Sequence, residues 1–274
     1  MSSMTRCVVG VDGSEESANA FAWTVAQADS TRAGEIVAVH AILPAAELLA
    51  AAAQVNLDPL RAERHRLLNA DWINAADARP VRVTTELVDD GPAMALVRSS
   101  ERHNGATIVL GHRRCVGQHK QVHVGHVVGQ VLHRSSGAAV IVAHDTAPTA
   151  VAGPLLVAVH GTAAADDPPI AWAVEVAEER GLRLLLVPMT TSARPFAAQL
   201  QRTLALTHPT LAVTSEVSHG QSVEVLAGLA EHTSAGMVVV GNHRPNASMG
   251  FLADGLARRL PMLVACPVVA VPVY

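Results

Sequence analysis

The chain has 274 residues, 50% hydrophobic and 16% charged, with a formal net charge of -4; it can bury a substantial core and lacks the basic footprint of a polyanion binder. Aromatics make up 3% of it and Lys120 is its single lysine, which removes the stacking platforms of nucleic-acid modules and excludes a phosphate loop of the G-x-x-x-x-G-K-[ST] type. Cys7, Cys115 and Cys266 stand far apart with no C-x-x-C, which fits structural thiols in a reducing compartment. No leader is visible and the longest apolar stretch, 260–274, is short and holds Pro261, Pro267 and Pro272, so a cytoplasmic protein without membrane contact is expected.

Residues 7–11 form an apolar run that stops at Asp12-Gly13-Ser14. Glu15 and Glu16 follow, then Ala18, Phe21, Ala22 and Val25 at helical spacing. This is a strand entering a helix: Asp12 or Ser14 can cap the free amides, and the two glutamates oppose the helix dipole. A second strand is predicted over 35–42, a helical region over 45–78 broken near Asp58-Pro59, and a third strand over 81–88. Gly91-Pro92 opens a helix over 93–102, with proline suited to its first turn. A strand over 106–110, a polar loop, a helix over 127–133 and a strand over 138–143 complete a βαβαβαβαβ pattern.

The stretch 144–153 is small, contains Pro148 and has no periodicity, so it reads as a connector. The pattern then starts again. Val9-Gly-Val-Asp-Gly-Ser14 recurs as Val157-Ala-Val-His-Gly-Thr162, Ala22-Trp23 as Ala171-Trp172, Gly91-Pro92 as Gly220-Gln221, and Val109-Leu110-Gly111 as Val239-Val240-Gly241. An internal duplication explains these matches, giving units 1–146 and 154–274 joined by 147–153. Crossovers of this length impose parallel pairing and right-handed connections, hence a doubly wound α/β sheet in each half. Ligands of such sheets sit beyond the carboxyl ends of the strands, which directs attention to the loops after Gly111 and Gly241.

The opening VVGVDGSEES (8–17), the Gly91-Pro92-Ala93 helix start and the endings IVLGHRR…AAVIVAH and VVVGNHR…CPVVAVP resemble universal stress proteins, with two copies in tandem. The resemblance implies a flavodoxin-like, Rossmann-like five-stranded sheet of order 3-2-1-4-5 in each half. It also implies an internal pseudo-dimer paired through the fifth strands, 138–143 and 267–273, with those strands as a surface for homodimer or protein-partner contacts.

Nucleotide-binding members carry G-x2-G-x9-G-[ST] after strand four and an aspartate at the end of strand one. Carried over, the candidate cofactor-binding residues are Asp12, Gly13, Ser14, Gly111, Arg113, Arg114, Gly125 and His126. Asp12 would meet the base or ribose, and amides near Gly111 and Gly125, with the arginines, would meet phosphate. The first half departs from the motif: Arg114 replaces the second glycine, Gly125 is reached one residue late, and His126 replaces the hydroxyl residue. In the second half His160 replaces the aspartate, Arg244 and Asp254 replace two glycines, and Gly255 replaces the hydroxyl residue. Asp12 could equally serve only as a helix cap.

Fourteen histidines include His103, His112, His119, His123, His126 and His133. His119, His123 and His126 would share a face if helical and could ligate zinc or copper, but Gly117 and Gly125 favour a solvated loop and no metal site is expected. Beside Arg113 and Arg114 the imidazoles could instead make a pH-dependent anion site. Neither G-x-S-x-G nor H-E-x-x-H occurs, and Cys115 beside Arg114 is the one candidate reactive thiol.

The function expected is a non-catalytic stress-response sensor or scaffold with at most a degenerate adenine-nucleotide site in the first half, and Mg²⁺ only beside a triphosphate. The alternative is an ATP-binding, slowly hydrolysing protein with a working first-half site. Neither nucleic acid nor membrane is expected as a partner.

Overall fold

The structure is a computed structural model. It describes residues 4–28, 34–42, 81–114, 124–149, 151–161, 164–216, 223–243 and 250–273, with a few isolated positions between 58 and 66. The predicted helical region 45–78, and Cys115, His119 and His123 of the histidine-rich loop, fall outside the described residues.

The first half contains β1 (Arg6–Gly10), α1 (Glu15–Gln27), β2 (Glu35–Ile42), β3 (Arg82–Asp89), α2 (Pro92–Arg102), β4 (Thr107–His112), α3 (His126–Arg134) and β5 (Ala139–Ala143). The second contains β6 (Leu155–Val159), α4 (Pro168–Arg180), β7 (Leu184–Pro188), α5 (Arg194–Thr207), β8 (Val213–Ser215), α6 (Val223–His232), β9 (Met237–His243), α7 (Gly250–Arg259) and β10 (Val268–Val273). Strand order is β3-β2-β1-β4-β5-β10-β9-β6-β7-β8. Each run of five therefore has the flavodoxin-like order 3-2-1-4-5, mirrored about the centre. Every pair is parallel except β5 with β10, which run antiparallel with Ile141 opposite Val268 and Ala139 opposite Ala270.

Of two consequences, the first is the fifth-strand pairing that the resemblance implies and the second departs from the expectation. The two five-stranded units form one continuous ten-stranded sheet, because β5 and β10 satisfy each other's edge amides and carbonyls. For the same reason the fifth strands are interior and offer no edge to a partner; the outer strands of the described sheet are β3 and β8.

Alternation along the strands supplies both faces. Val9, Val109, Val140, Val157 and Val239 face one layer, packed with Phe21 and Trp23 of α1, Ile170 and Trp172 of α4, and Leu200 and Leu204 of α5. Val8, Ile108, Ile141, Leu156 and Val238 face the other, against α2, α3, α6 and α7. Both cores run across the two halves without a break. Trp23 and Trp172, related by the repeat, pack in the same layer.

Polar side chains fasten the seam. Asn19 Nδ2 donates to the carbonyls of Ala143 (2.9 Å) and Thr146 (3.0 Å), and Thr146 Oγ1 donates to Ala265 O (2.6 Å). Buried Asn242 donates to Leu132 O at 2.5 Å. At the end of α1, buried Gln27 donates to Thr149 O (2.6 Å), accepts from the Val151 amide (3.0 Å), and accepts from Arg180 of α4 at Oε1 (3.1 Å) and its main-chain carbonyl (2.8 Å). The connector is thereby tied to the first helix of each half. Among the described residues no helix is long and apolar enough to cross a membrane.

Candidate ligand site in the first half

The turn after β1 is built by its own short polar residues. Gly13 has φ +88, a conformation that side-chain-bearing residues rarely adopt. Asp12 Oδ1 accepts from the Ser14 amide (3.0 Å) and hydroxyl (2.6 Å), and Ser14 Oγ in turn accepts from the Ser17 amide (3.2 Å), capping α1. Burial pushes the Asp12 carboxyl up, but these bonds outweigh it and hold it below its ordinary value, so it is ionised at neutral pH.

A cavity of about 160 Å³ opens beside this turn at the carboxyl ends of β1, β2 and β4. It sits between β1 and β4, where the chain order of the sheet reverses, the general ligand position of doubly wound sheets. Val39, His40 and Ala41 of β2 form one wall, Leu96 of α2 and Val128 of α3 another, and Asp12, Ser14 and Gly111 the polar rim. His40 Nδ1 donates to Val11 O (2.8 Å), which fixes the ring at the cavity wall.

Of the eight residues singled out from the sequence, Asp12, Ser14 and Gly111 line the cavity and Gly13 shapes its turn. The other four do not line this cavity. Arg113 pairs with Glu16, and Arg114 pairs with Asp145 while its amide donates to His144 Nδ1 (3.2 Å). Gly125 is the N-cap of α3, and exposed His126 accepts from Gln130 at 2.7 Å. Gly111 is required for packing as much as for any ligand, since a Cβ there would lie 2.2 Å from Glu16 O.

Sequence reasoning missed Val39, His40, Ala41, Pro92 and Leu96. The end of a second strand is a neighbour of the Asp12 turn only once the order 3-2-1-4 is imposed, and that order supplies the signal.

Beside the cavity, buried His112 donates from Nε2 to Met262 Sδ (2.8 Å). Burial pushes this imidazole's pKa down and His144 nearby pushes it further, against a weaker opposing pull from Glu16. Among the described residues no group of three His, Cys, Asp or Glu could hold a metal. Burial pushes the Cys7 and Cys266 thiols up to about 12, which leaves both protonated and poorly nucleophilic.

The second half copies the turn with His160 after β6 and Gly161 at φ +54. Asp254 and Gly255, aligned above with a phosphate loop, lie inside α7 rather than ahead of its first turn. Arg244 is outside the described residues.

Residues 4–143 match the family model described as the universal stress protein family. No protein of curated function is significantly similar in sequence. Among solved structures, a universal stress protein from Archaeoglobus fulgidus is 17% identical, with 98% of each chain covered and a TM-score of 0.75. A protein from Pseudomonas aeruginosa described as a putative universal stress protein is 12% identical over 98% of this chain and 95% of its own, with a TM-score of 0.60. At these identities the likeness establishes the fold alone.

Proposed function

Because the chain belongs to the universal stress protein family, we propose that it is a non-catalytic cytoplasmic sensor whose first half binds the base and ribose of an adenine nucleotide. The observation that carries this reading is the switch-point cavity itself: an apolar slot of heterocycle dimensions with an ionised aspartate and a serine at its rim. Apolar walls favour the base, and Asp12 Oδ2 is positioned as an acceptor for ribose or ring donors. Phosphates would lie toward the amides ahead of α3 and its helix N-terminus. Both arginines nearest the rim are engaged by carboxylates, so phosphate contributes little affinity and Mg²⁺ enters only beside a triphosphate.

The test is to denature purified protein, identify any released small molecule by mass spectrometry, and titrate adenosine, AMP, ADP and ATP with and without Mg²⁺. Adenosine and AMP are expected to bind about as well as ATP. Ala41→Phe fills the slot and abolishes binding, and Asp12→Asn weakens it while preserving the Oδ1 acceptor that Ser14 uses. Failure of every adenine compound to bind below about 1 mM, equivalent to about 4 kcal/mol, overturns the reading. Tight Mg-ATP binding with turnover would replace it with a hydrolytic function.

A further inference from the structure

We propose that His112 and Met262 form a proton-operated latch at the seam between the two halves, shut at neutral pH and released in mild acid. The latch belongs to the seam and does not depend on the nucleotide reading.

Each half contributes one contact of the same kind. His112 and Asn242 follow the matched glycines Gly111 and Gly241, and the same number of residues separates His112 from Leu132 as separates Asn242 from Met262. The fold crosses these pairs: His112 Nε2 donates to Met262 Sδ (2.8 Å), and Asn242 Nδ2 donates to Leu132 O (2.5 Å). Both donor residues are buried. Position and partner are duplicated, but only the first-half donor can take up a proton.

A thioether sulfur can only accept, so Nε2 carries the hydrogen of the neutral ring and a further proton must enter at Nδ1. Burial disfavours that charge most, and His144, whose amide donates to the His112 carbonyl (2.8 Å), disfavours it further; Glu16 of α1 pulls the other way. Arg113 and Arg114, next along the chain, are paired with Glu16 and Asp145, and Met262 brings no charge. A charged ring here gains most from water, and Met262 is the covering group that can give way. It is partly exposed at the end of the single turn 260–262, and its side chain is unbranched and flexible, so it can swing aside while Leu260 and Pro261 stay buried. Asn242 keeps the matching contact at every pH. Acid therefore loosens the seam beside Gly111, which lines the first-half cavity, and leaves the second-half contact closed.

The experiment exposes the full chain to dilute hydrogen peroxide between about pH 8 and about pH 5 and follows each methionine by peptide mass spectrometry, because sulfoxide formation needs no ionisation of the sulfur. Met262 oxidation is expected to be level above the ordinary imidazole value of 6.5 and to rise below it by up to about tenfold per pH unit, the limit for one linked proton. Met237, fully buried on β9, should stay protected throughout, which separates release of the latch from global unfolding. His112→Gln keeps an N–H donor that cannot be charged and should make Met262 oxidation independent of pH. If that variant fails to fold, NMR of the wild-type chain decides: the Met262 methyl signal and the His112 ring signals should shift together, with one midpoint below 6.5. Met262 oxidation unchanged across the range, a rise retained in His112→Gln, Met262 and Met237 rising together, or a methyl signal that ignores the His112 titration would each overturn the proposal.

Discussion

Gly111 on β4 packs directly on the main chain of Glu16, so closely that an added Cβ would stand 2.2 Å from the Glu16 carbonyl oxygen and 2.8 Å from the Ser17 amide nitrogen. The first turn of α1, the end of β4 and the polar rim of the cavity are thus one packed unit. Gly111→Ala should cost about 1–3 kcal/mol, the range for forced overpacking, read as a lower unfolding temperature. Gly125, where a Cβ would meet nothing within 4 Å, is the control: Gly125→Ala should cost no more than about 1 kcal/mol, the scale of an N-cap change.

The Gln27 clamp should be a stability determinant of the joined halves. Gln27→Ala removes bonds to Thr149, Val151 and Arg180 in a buried setting, and a loss of about 2–4 kcal/mol is expected from several buried hydrogen bonds including a charged one. Hydrogen exchange should rise first at the Val151 amide. Unchanged protection there would show that the connector is held by other contacts.

His112 gives stability a pH dependence. Its pKa is lowered below the ordinary 6.5 in the folded chain, so the unfolded chain binds the proton more readily, and folding stability falls as pH drops below 6.5 until the folded-state value is passed. Denaturant melts between pH 8 and 5 should show this slope, and His112→Gln should flatten it. Loss of stability on raising the pH through the same window would contradict the assignment.

Glu86 of β3 contributes a second, more acidic dependence. Burial raises its pKa, but hydrogen bonds from His103 (2.8 Å) and Ser99 (2.8 Å), with Arg102, outweigh that and hold it below the usual 4.5. A depressed carboxyl stabilises the fold above its unfolded value and loses that contribution as pH falls through the folded one. Glu86→Gln should therefore be destabilised at pH 7, with the gap to wild type narrowing as pH falls below the ordinary 4.5 and through the lower folded-state value.

Cys7 and Cys266, with thiols pushed up to about 12, should react slowly with a disulfide reagent at pH 8 in the folded protein and promptly once denaturant is added. Rapid labelling of either in the folded state would show that its surroundings open on the labelling timescale.

Much of the fold was legible because its signals are local. Strand 35–42 coincides with β2, and the other described elements of the first half fall within a residue or two of expectation, since β-branched runs, the Ser14 cap and Pro92 act through neighbours in the chain. The duplication was equally legible, because matched words such as Ala22-Trp23 and Ala171-Trp172 need no coordinates. The candidate site was legible only in part. Asp12, Ser14 and Gly111 share a motif with the strand ends that place them, whereas Val39, His40 and Leu96 reach the cavity through pairings and packing between distant segments.

By itself, then, the sequence determined an α/β chain of two related halves with a polar turn after each first strand, because hydrophobic period and capping chemistry are properties of short stretches. Only the tertiary structure showed that the fifth strands, whose pairing the resemblance implied, meet antiparallel in one continuous sheet, and that Arg114 pairs with Asp145. It alone placed Asp254 inside α7. The sheet pairing depends on which backbone edges meet across more than a hundred residues of chain, as Ile141 meets Val268, and no local pattern carries that information.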